Sequence, residues 1–288
     1  MTGVTIDLIM DLLCCPVCRN DLRRVGGSVR CSTGHSFDLA RHGQLNLLGR
    51  PAPPHADTAD MVAARARFLG GGSYDLILDA VHESVGATPP RPAVLEVGAG
   101  TGFYLAALVE RLDGRGVALD ISPVAARRAA RSSPRIGAVV ANVWGPLPLH
   151  TGSVDVVLAV FAPRHPAEFA RVLRPDGLLV VVTPQPEHLV ELRDQLGLLG
   201  VEPGKDDRLA DGLRGHLDVR TRRDVHYRVA LELDALVDLV AMGPNAFHRD
   251  AAELRTQVRE LTRPQAVTVA VTVSTWSPSV RRPANWVR

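Results

Sequence analysis

The chain has 288 residues, 46% hydrophobic and 22% charged, with 33 lysines and arginines against 31 acids for a net charge of +2. That balance excludes a polybasic, histone-like protein, and the length suits one large domain or a standard domain plus a small one. Residues 1–7 lack a basic secretory stretch, and no window approaches the roughly 18 apolar residues of a membrane span. A cytoplasmic location without membrane contact is therefore expected, where thiols stay reduced.

All four cysteines fall within the first 31 residues, so they need a reason other than disulfides. Cys15-Pro16-Val17-Cys18 forms one knuckle, and Cys31 with His35 supplies a second pair. Two such pairs brought together by a hairpin complete a tetrahedron around zinc. Gly26-Gly27 between them reads as the hairpin turn. Four protein ligands leave no open coordination position, so the metal is expected to be structural. Cys14 can stand in for Cys15, although Pro16 pre-sets the turn for Cys15.

Pro51 to His55 reads as a linker. Helical patterns follow over 60–69 and 74–85, separated by Gly70-Gly71-Gly72. Strands are then expected at 93–97, 116–119, 136–140, 154–161 and 177–183, with helices over 103–112, 123–131 and 166–173. Continuous apolar strands alternating with helices specify a parallel sheet covered on both faces. The tail reads as a strand at 225–230, helices over 233–242 and 253–261, and an alternating strand at 267–273. The expected fold is α/β: a Rossmann-like doubly wound sheet ending in an antiparallel hairpin, preceded by a small zinc-binding module. The expected boundaries are 1–50 for that module, 51–72 for a linker and helix, and 73–288 for the main domain.

The first core strand runs into Glu96-Val97-Gly98-Ala99-Gly100-Thr101-Gly102. Such glycines permit a sharp turn and close ligand approach at the carboxyl edge of the sheet. Asp120 ends the next strand, where a carboxylate can accept both ribose hydroxyls. A dinucleotide fingerprint would need glycine at 103, which is Phe103. The loop instead resembles that of class I methyltransferases, which bind S-adenosylmethionine. That likeness implies Glu96 at the cationic methionine end and Asn142 near adenine, alongside Gly98, Gly100, Thr101, Gly102 and Asp120.

Zinc knuckle, linker and glycine loop in this order resemble the 23S rRNA (guanine-N1)-methyltransferases of the RlmA type, particularly the Gram-positive branch containing the tylosin-resistance enzyme TlrB. The match rests on Cys15-Pro-x-Cys18, on Cys31 with Gly34-His35-Ser36-Phe37-Asp38, and on 43–48. It continues through Ala63-x-Arg65-x-x-Phe68-Leu69, Phe161-Ala162-Pro163, Thr183-Pro184-x-Pro186-x-His188-Leu189 and Met242-x-Pro244. The resemblance implies zinc and S-adenosylmethionine as cofactors, with further contacts at Tyr74 and His188. It implies 23S rRNA as substrate, with methylation at the guanine numbered 748, macrolide resistance as a consequence, and a homodimer that forms the RNA cleft. The family's late Met-x-Pro-x-Ala-Trp string ends here in Phe247, which removes a donor.

From the residues alone, Tyr74 fits a core position as well as a contact, and Phe161 fits a core ring or a base platform. No general base is named, although Asn142 and His165 lie in suitable regions. Two arginine groups are candidates for phosphate: Arg19, Arg23, Arg24 and Arg30 in the zinc module, and Arg127, Arg128, Arg131 and Arg135 after the second core strand. Two other functional classes remain compatible, a small-molecule methyltransferase and a non-catalytic zinc and nucleic-acid binding protein.

Overall fold

Short runs of Val, Leu, Ile and Ala build the centre of the molecule. The computed structural model describes residues 5–198, 200, 211–243, 251–261 and 265–279. A 3-10 helix (Thr5–Leu12) opens the chain, followed by a three-stranded antiparallel sheet of β1 (Leu22–Val25), β2 (Ser28–Cys31) and β3 (Ser36–Asp38), then β4 (Leu45–Asn46). Helices α1 (Ala59–Gly70) and α2 (Asp75–Val85) lead into β5 (Ala93–Val97), α3 (Phe103–Arg111), β6 (Arg115–Asp120), α4 (Pro123–Ala129) and β7 (Ile136–Val140). Next come β8 (Val154–Val160), α5 (Pro166–Val172), β9 (Leu173–Pro184), α6 (Val190–Leu196), β10 (Leu217–Leu231), α7 (Leu233–Ala241), α8 (Ala251–Glu260) and β11 (Gln265–Pro278).

The main sheet has eight strands in the order β10-β11-β9-β8-β5-β6-β7-β4. From β9 to β4 neighbouring strands are parallel, whereas β11 runs antiparallel to both β9 and β10. Strand β5 is entered from β6 on one side and β8 on the other, so the order reverses there and opens a crevice at the carboxyl edge. Among the described residues, no helix is long and apolar enough to cross a membrane.

One face of the sheet packs against α1 to α4 and α6 to α8. The other is covered by α5 and, unexpectedly, by the N-terminal module. The connection from β7 to β8 carries no helix. Ile6, Ile9, Leu12 and Leu13 fill that space and are fully or almost fully buried. Gly137 makes this fit possible, because a Cβ there would stand 2.5 Å from Ile9. Strand β4 then adds to the edge, with Leu45 opposite Val139 and Asn46 opposite Val140. Residues 5–46 thus share one core with the sheet rather than forming a separate bead.

The hairpin read from Gly26-Gly27 forms as β1–β2, with Val25 opposite Ser28 and Gly26 at φ 61°. Strands β10 and β11 are longer than their sequence patterns suggested. Arg222 pairs with Ser274 and Arg223 with Val273, in a stretch of β10 that is exposed and so shows no apolar alternation. Pro244 to Phe247, which carry the departure from the family string, lie outside the described residues.

Candidate active site and zinc centre

The first knuckle closes through Cys15 N–H to the Asn20 carbonyl (2.8 Å) and Arg19 N–H to the Cys15 carbonyl (2.9 Å), with Arg19 itself at φ 66°. The second closes through Gly34 N–H to the Cys31 carbonyl (3.1 Å), with Gly34 at φ 91°. These turns bring the ligand atoms of Cys15, Cys18, Cys31 and His35 within 4.8 Å of one another. Cys18 Sγ lies 3.7 Å from Cys31 Sγ, and His35 Nδ1 lies 3.6 Å from Cys15 Sγ and 3.3 Å from Cys31 Sγ. A tetrahedral zinc at ordinary bond lengths requires edges of roughly 3.8 Å between sulfurs and roughly 3.5 Å between sulfur and nitrogen. The donor set fits the ion. Thr33 Oγ1 caps one face, 3.1 Å from both Cys18 and Cys31 and 3.2 Å from His35. Burial acts to raise the Cys31 thiol, but hydrogen bonds from Thr33 and His35 outweigh it and bring the pKa down to about 6, which favours the thiolate a metal needs. Cys14 is buried and stands outside the cluster.

Arg19 is a staple rather than a free cation. Its guanidinium donates to the carbonyls of Leu147 (2.7 Å) and Leu149 (2.8 Å), tying the knuckle to the loop after β7. Arg24 pairs with Asp7 at 3.1 Å. Arg135 pairs with Asp113 at 2.7 Å.

The crevice at the reversal point is a cleft of about 250 Å3. Of the residues predicted from sequence, Tyr74, Glu96, Gly98, Gly100, Thr101 and Asp120 line it. Gly98, Gly100 and Gly102 take φ of 62°, 53° and 74°, a conformation side chains disfavour. A Cβ on Gly100 would meet Arg65 at 2.9 Å, and one on Gly98 would meet Ala162 at 2.9 Å. Asp120 Oδ2 accepts from Gly100 N–H and Oδ1 from Ser122 N–H, both at 2.8 Å, which fixes the carboxylate and leaves each oxygen a further lone pair. Glu96 Oε2 accepts from Leu105 N–H at 3.2 Å. Burial pushes the Glu96 carboxyl well above its usual range, so a cation beside it would favour its ionised form.

Three predicted cofactor contacts, and the candidate base His165, do not line the cleft. Gly102 caps α3 and faces Ala129 and Ser132. Asn142 accepts from Trp144 N–H at 3.0 Å within its own loop. His188 sits behind Tyr74, its Nε2 3.3 Å from the Tyr74 hydroxyl. His165 caps α5 by accepting from Glu168 N–H at 3.4 Å.

Tyr74 also meets Phe68 edge-on at 4.9 Å, and Phe161 stacks on His188 at 5.8 Å. Phe161 holds φ 52° and remains 42% exposed at the cleft mouth. A bulky residue held left-handed costs about 1–3 kcal/mol and persists where surrounding structure imposes it. Sequence reasoning did not single out Asp57 or Arg65 as lining residues. Arg65 ion-pairs with Asp57 and donates to the Met242 carbonyl at 2.8 Å, while Ser122 Oγ donates to the Asp57 carbonyl at 2.7 Å. The strings around Arg65, Phe161, His188 and Met242, far apart in sequence, therefore converge on one site.

Comparison with known proteins agrees with this geometry. Residues 13–52 match the family described as "RlmA, N-terminal", a zinc ribbon, and residues 94–177 match "Methyltransferase domain". The fold is similar to that of the methyltransferase in a Haloferax volcanii complex with the Trm112 activator, at 19% identity and TM-score 0.51 over 77% of this chain and 97% of that one. A relative from Streptomyces fradiae, named 23S rRNA (guanine(748)-N(1))-methyltransferase, is 44% identical over 275 residues, covering 94% of this chain and 98% of its own length. One from Micromonospora griseorubida, with a 23S rRNA (guanine-N(1)-)-methyltransferase designation, is also 44% identical, over 92% of this chain and 96% of its own. With near-complete coverage of both relatives, and with the zinc ribbon and methyltransferase fold in place, the chain belongs to the 23S rRNA (guanine-N1)-methyltransferase family.

Proposed function

We propose that this protein transfers a methyl group from S-adenosylmethionine to N1 of guanine 748 in a hairpin of 23S rRNA. The observation that carries this reading is the 44% identity to the Streptomyces fradiae enzyme over 94% of the chain. Action on rRNA implies a cytoplasmic location, and methylation at that guanine would protect the ribosome from tylosin-type macrolides.

The cofactor, when bound, supplies an electrophilic methyl on a sulfonium. The chain's own residues bind and orient. Asp120 is fixed to accept the ribose hydroxyls, and Glu96 offers charge to the methionine end. Gly98 to Gly102 keep the backbone low enough for close approach. Tyr74 presents its hydroxyl from the wall. Phe161 offers a face on which an unstacked guanine can rest, the geometry expected where single-stranded bases are recognised. Holding donor and acceptor in line converts a bimolecular step into a near-unimolecular one, the largest contribution these residues can make.

Primer extension on 23S rRNA after incubation with protein and cofactor tests the reading. N1 methylation blocks Watson–Crick pairing, so extension should stop beside guanine 748. Methyl incorporation with no stop, or methylation of a macrolide precursor instead, would replace it.

A further inference from the structure

The tight turn after β3 and the end of α4 are far apart in sequence and belong to different parts of the fold. They meet at the outer edge of the sheet beside β4. The turn is closed by Gly43 N–H to the Ala40 carbonyl (2.8 Å) and Ala40 N–H to the Gln44 carbonyl (3.0 Å), which holds Arg41 and His42 at its tip. Arg131 donates through Nη2 to His42 Nδ1 at 2.7 Å. Arg127 lies one helical turn before Arg131, and all four side chains are exposed.

The cluster itself contains no acid. Several other surface arginines are neutralised: Arg135 by Asp113, Arg115 by Asp11, Arg24 by Asp7. Among the described residues, no carboxylate lies within ion-pair distance of Arg41, Arg127 or Arg131. His42 cannot compensate, since accepting from Arg131 leaves it neutral with its proton on Nε2. The desolvation of its ring and the charges of Arg131, Arg127 and Arg41 all hold its pKa below the usual value. The group is thus three guanidiniums and one imidazole N–H, all donors, a set that suits an oxyanion.

We propose that Arg41, His42, Arg127 and Arg131 form a phosphodiester-binding site that grips the rRNA backbone at the seam between the zinc module and the catalytic sheet. The assignment rests on the rRNA reading above. Helix α4 begins three residues after Asp120, so at 1.5 Å per residue the site lies on the order of 10 Å along the helix from the cofactor cleft. That span is short enough for one hairpin to reach both. The arginines of α4 and the segment after it are thereby divided: Arg127 and Arg131 face the turn, while Arg135 is occupied by Asp113.

The test uses full-length protein and a 23S rRNA hairpin fragment, with binding measured across a salt series. In the triple variant Arg41→Gln, Arg127→Gln, Arg131→Gln, three phosphate contacts are lost. The slope of log affinity against log salt should fall by about 2, and affinity at low salt should drop at least tenfold. KM for RNA should rise while kcat at saturating RNA and calorimetric cofactor affinity stay unchanged. The Lys counterpart at all three positions keeps the charge and should restore most of the slope. A triple Gln variant that folds, methylates, and shows the wild-type slope overturns the site. Wild-type protein that fails to produce the primer-extension stop overturns the rRNA reading itself, so the two failures are told apart.

Discussion

The Tyr74 hydroxyl lies 3.3 Å from His188 Nε2, while the other ring nitrogen of His188 accepts the backbone N–H of Ala270 at 3.2 Å. Because Nδ1 is an acceptor, the neutral ring carries its proton on Nε2 and donates to Tyr74. The Tyr74 hydroxyl hydrogen is then free for the cleft. Tyr74→Phe preserves the ring contacts, removes this donor and leaves the His188 Nε2–H without its acceptor, so cofactor affinity should fall about tenfold, near the 1–1.5 kcal/mol of one hydrogen bond, with a modest fall in melting temperature beside it. Calorimetric titration with S-adenosylmethionine checks this.

The same histidine makes stability pH-dependent. Burial, and to a lesser extent the Arg193 charge, lower the His188 pKa from 6.5 to about 4. Between those values the unfolded chain takes up a proton that the folded chain refuses, so stability falls as pH drops through that window and levels off below it. The loss is on the order of 3 kcal/mol at most. Denaturant unfolding at several pH values should show this slope in the wild type and a reduced one in His188→Gln.

Zinc should be bound at one equivalent per chain. Cys18→Ser or Cys31→Ser should abolish it, and Cys14→Ser should leave it intact, as metal analysis would show. Since Ile6, Ile9 and Leu12 share a core with β6 and β7, chelation should lower the melting point of the whole protein rather than uncover a separate transition. For the same reason, deleting residues 1–50 would strip the sheet of its cover as well as its zinc, and loss of RNA binding would not isolate a role in recognition.

Arg19→Ala should act on stability, not on RNA. It removes one of two guanidinium donors from the carbonyls of Leu147 and Leu149, which Arg171 still serves at 3.0 and 2.8 Å, so the cost is that of the lost bonds alone, about 1–2 kcal/mol. Chemical denaturation should show the loss, while the salt slope of RNA binding stays at the wild-type value.

Gly100→Ala places a methyl group at a backbone φ of 53° and 2.9 Å from the Arg65 guanidinium. Strain of about 1–2 kcal/mol and displacement of Arg65 should together remove most cofactor binding while the zinc content is unchanged. Cofactor titration paired with metal analysis separates the two.

The zinc ligands and the glycine loop were legible in the sequence because each is built by consecutive residues on one tight turn, where spacing alone sets geometry. The central strands were legible because burial on both faces demands unbroken apolar runs, as at 136–140 and 154–160. The first half of β10 was not, since Arg220 to Arg223 lie exposed on an edge strand and register with β11 alone defines them. Local pattern could not read the partners of Asn142 and His165, whose Oδ1 and Nδ1 accept from the N–H groups of Trp144 and Glu168. Only the tertiary structure decided that the zinc module would roof the helix-free β7–β8 connection, that Arg65 would bridge Asp57 to Met242, and that Arg131 would reach His42 in the turn after β3. Each of those depends on which distant surfaces pack together, and packing is a property of the whole core that no short stretch of chain encodes.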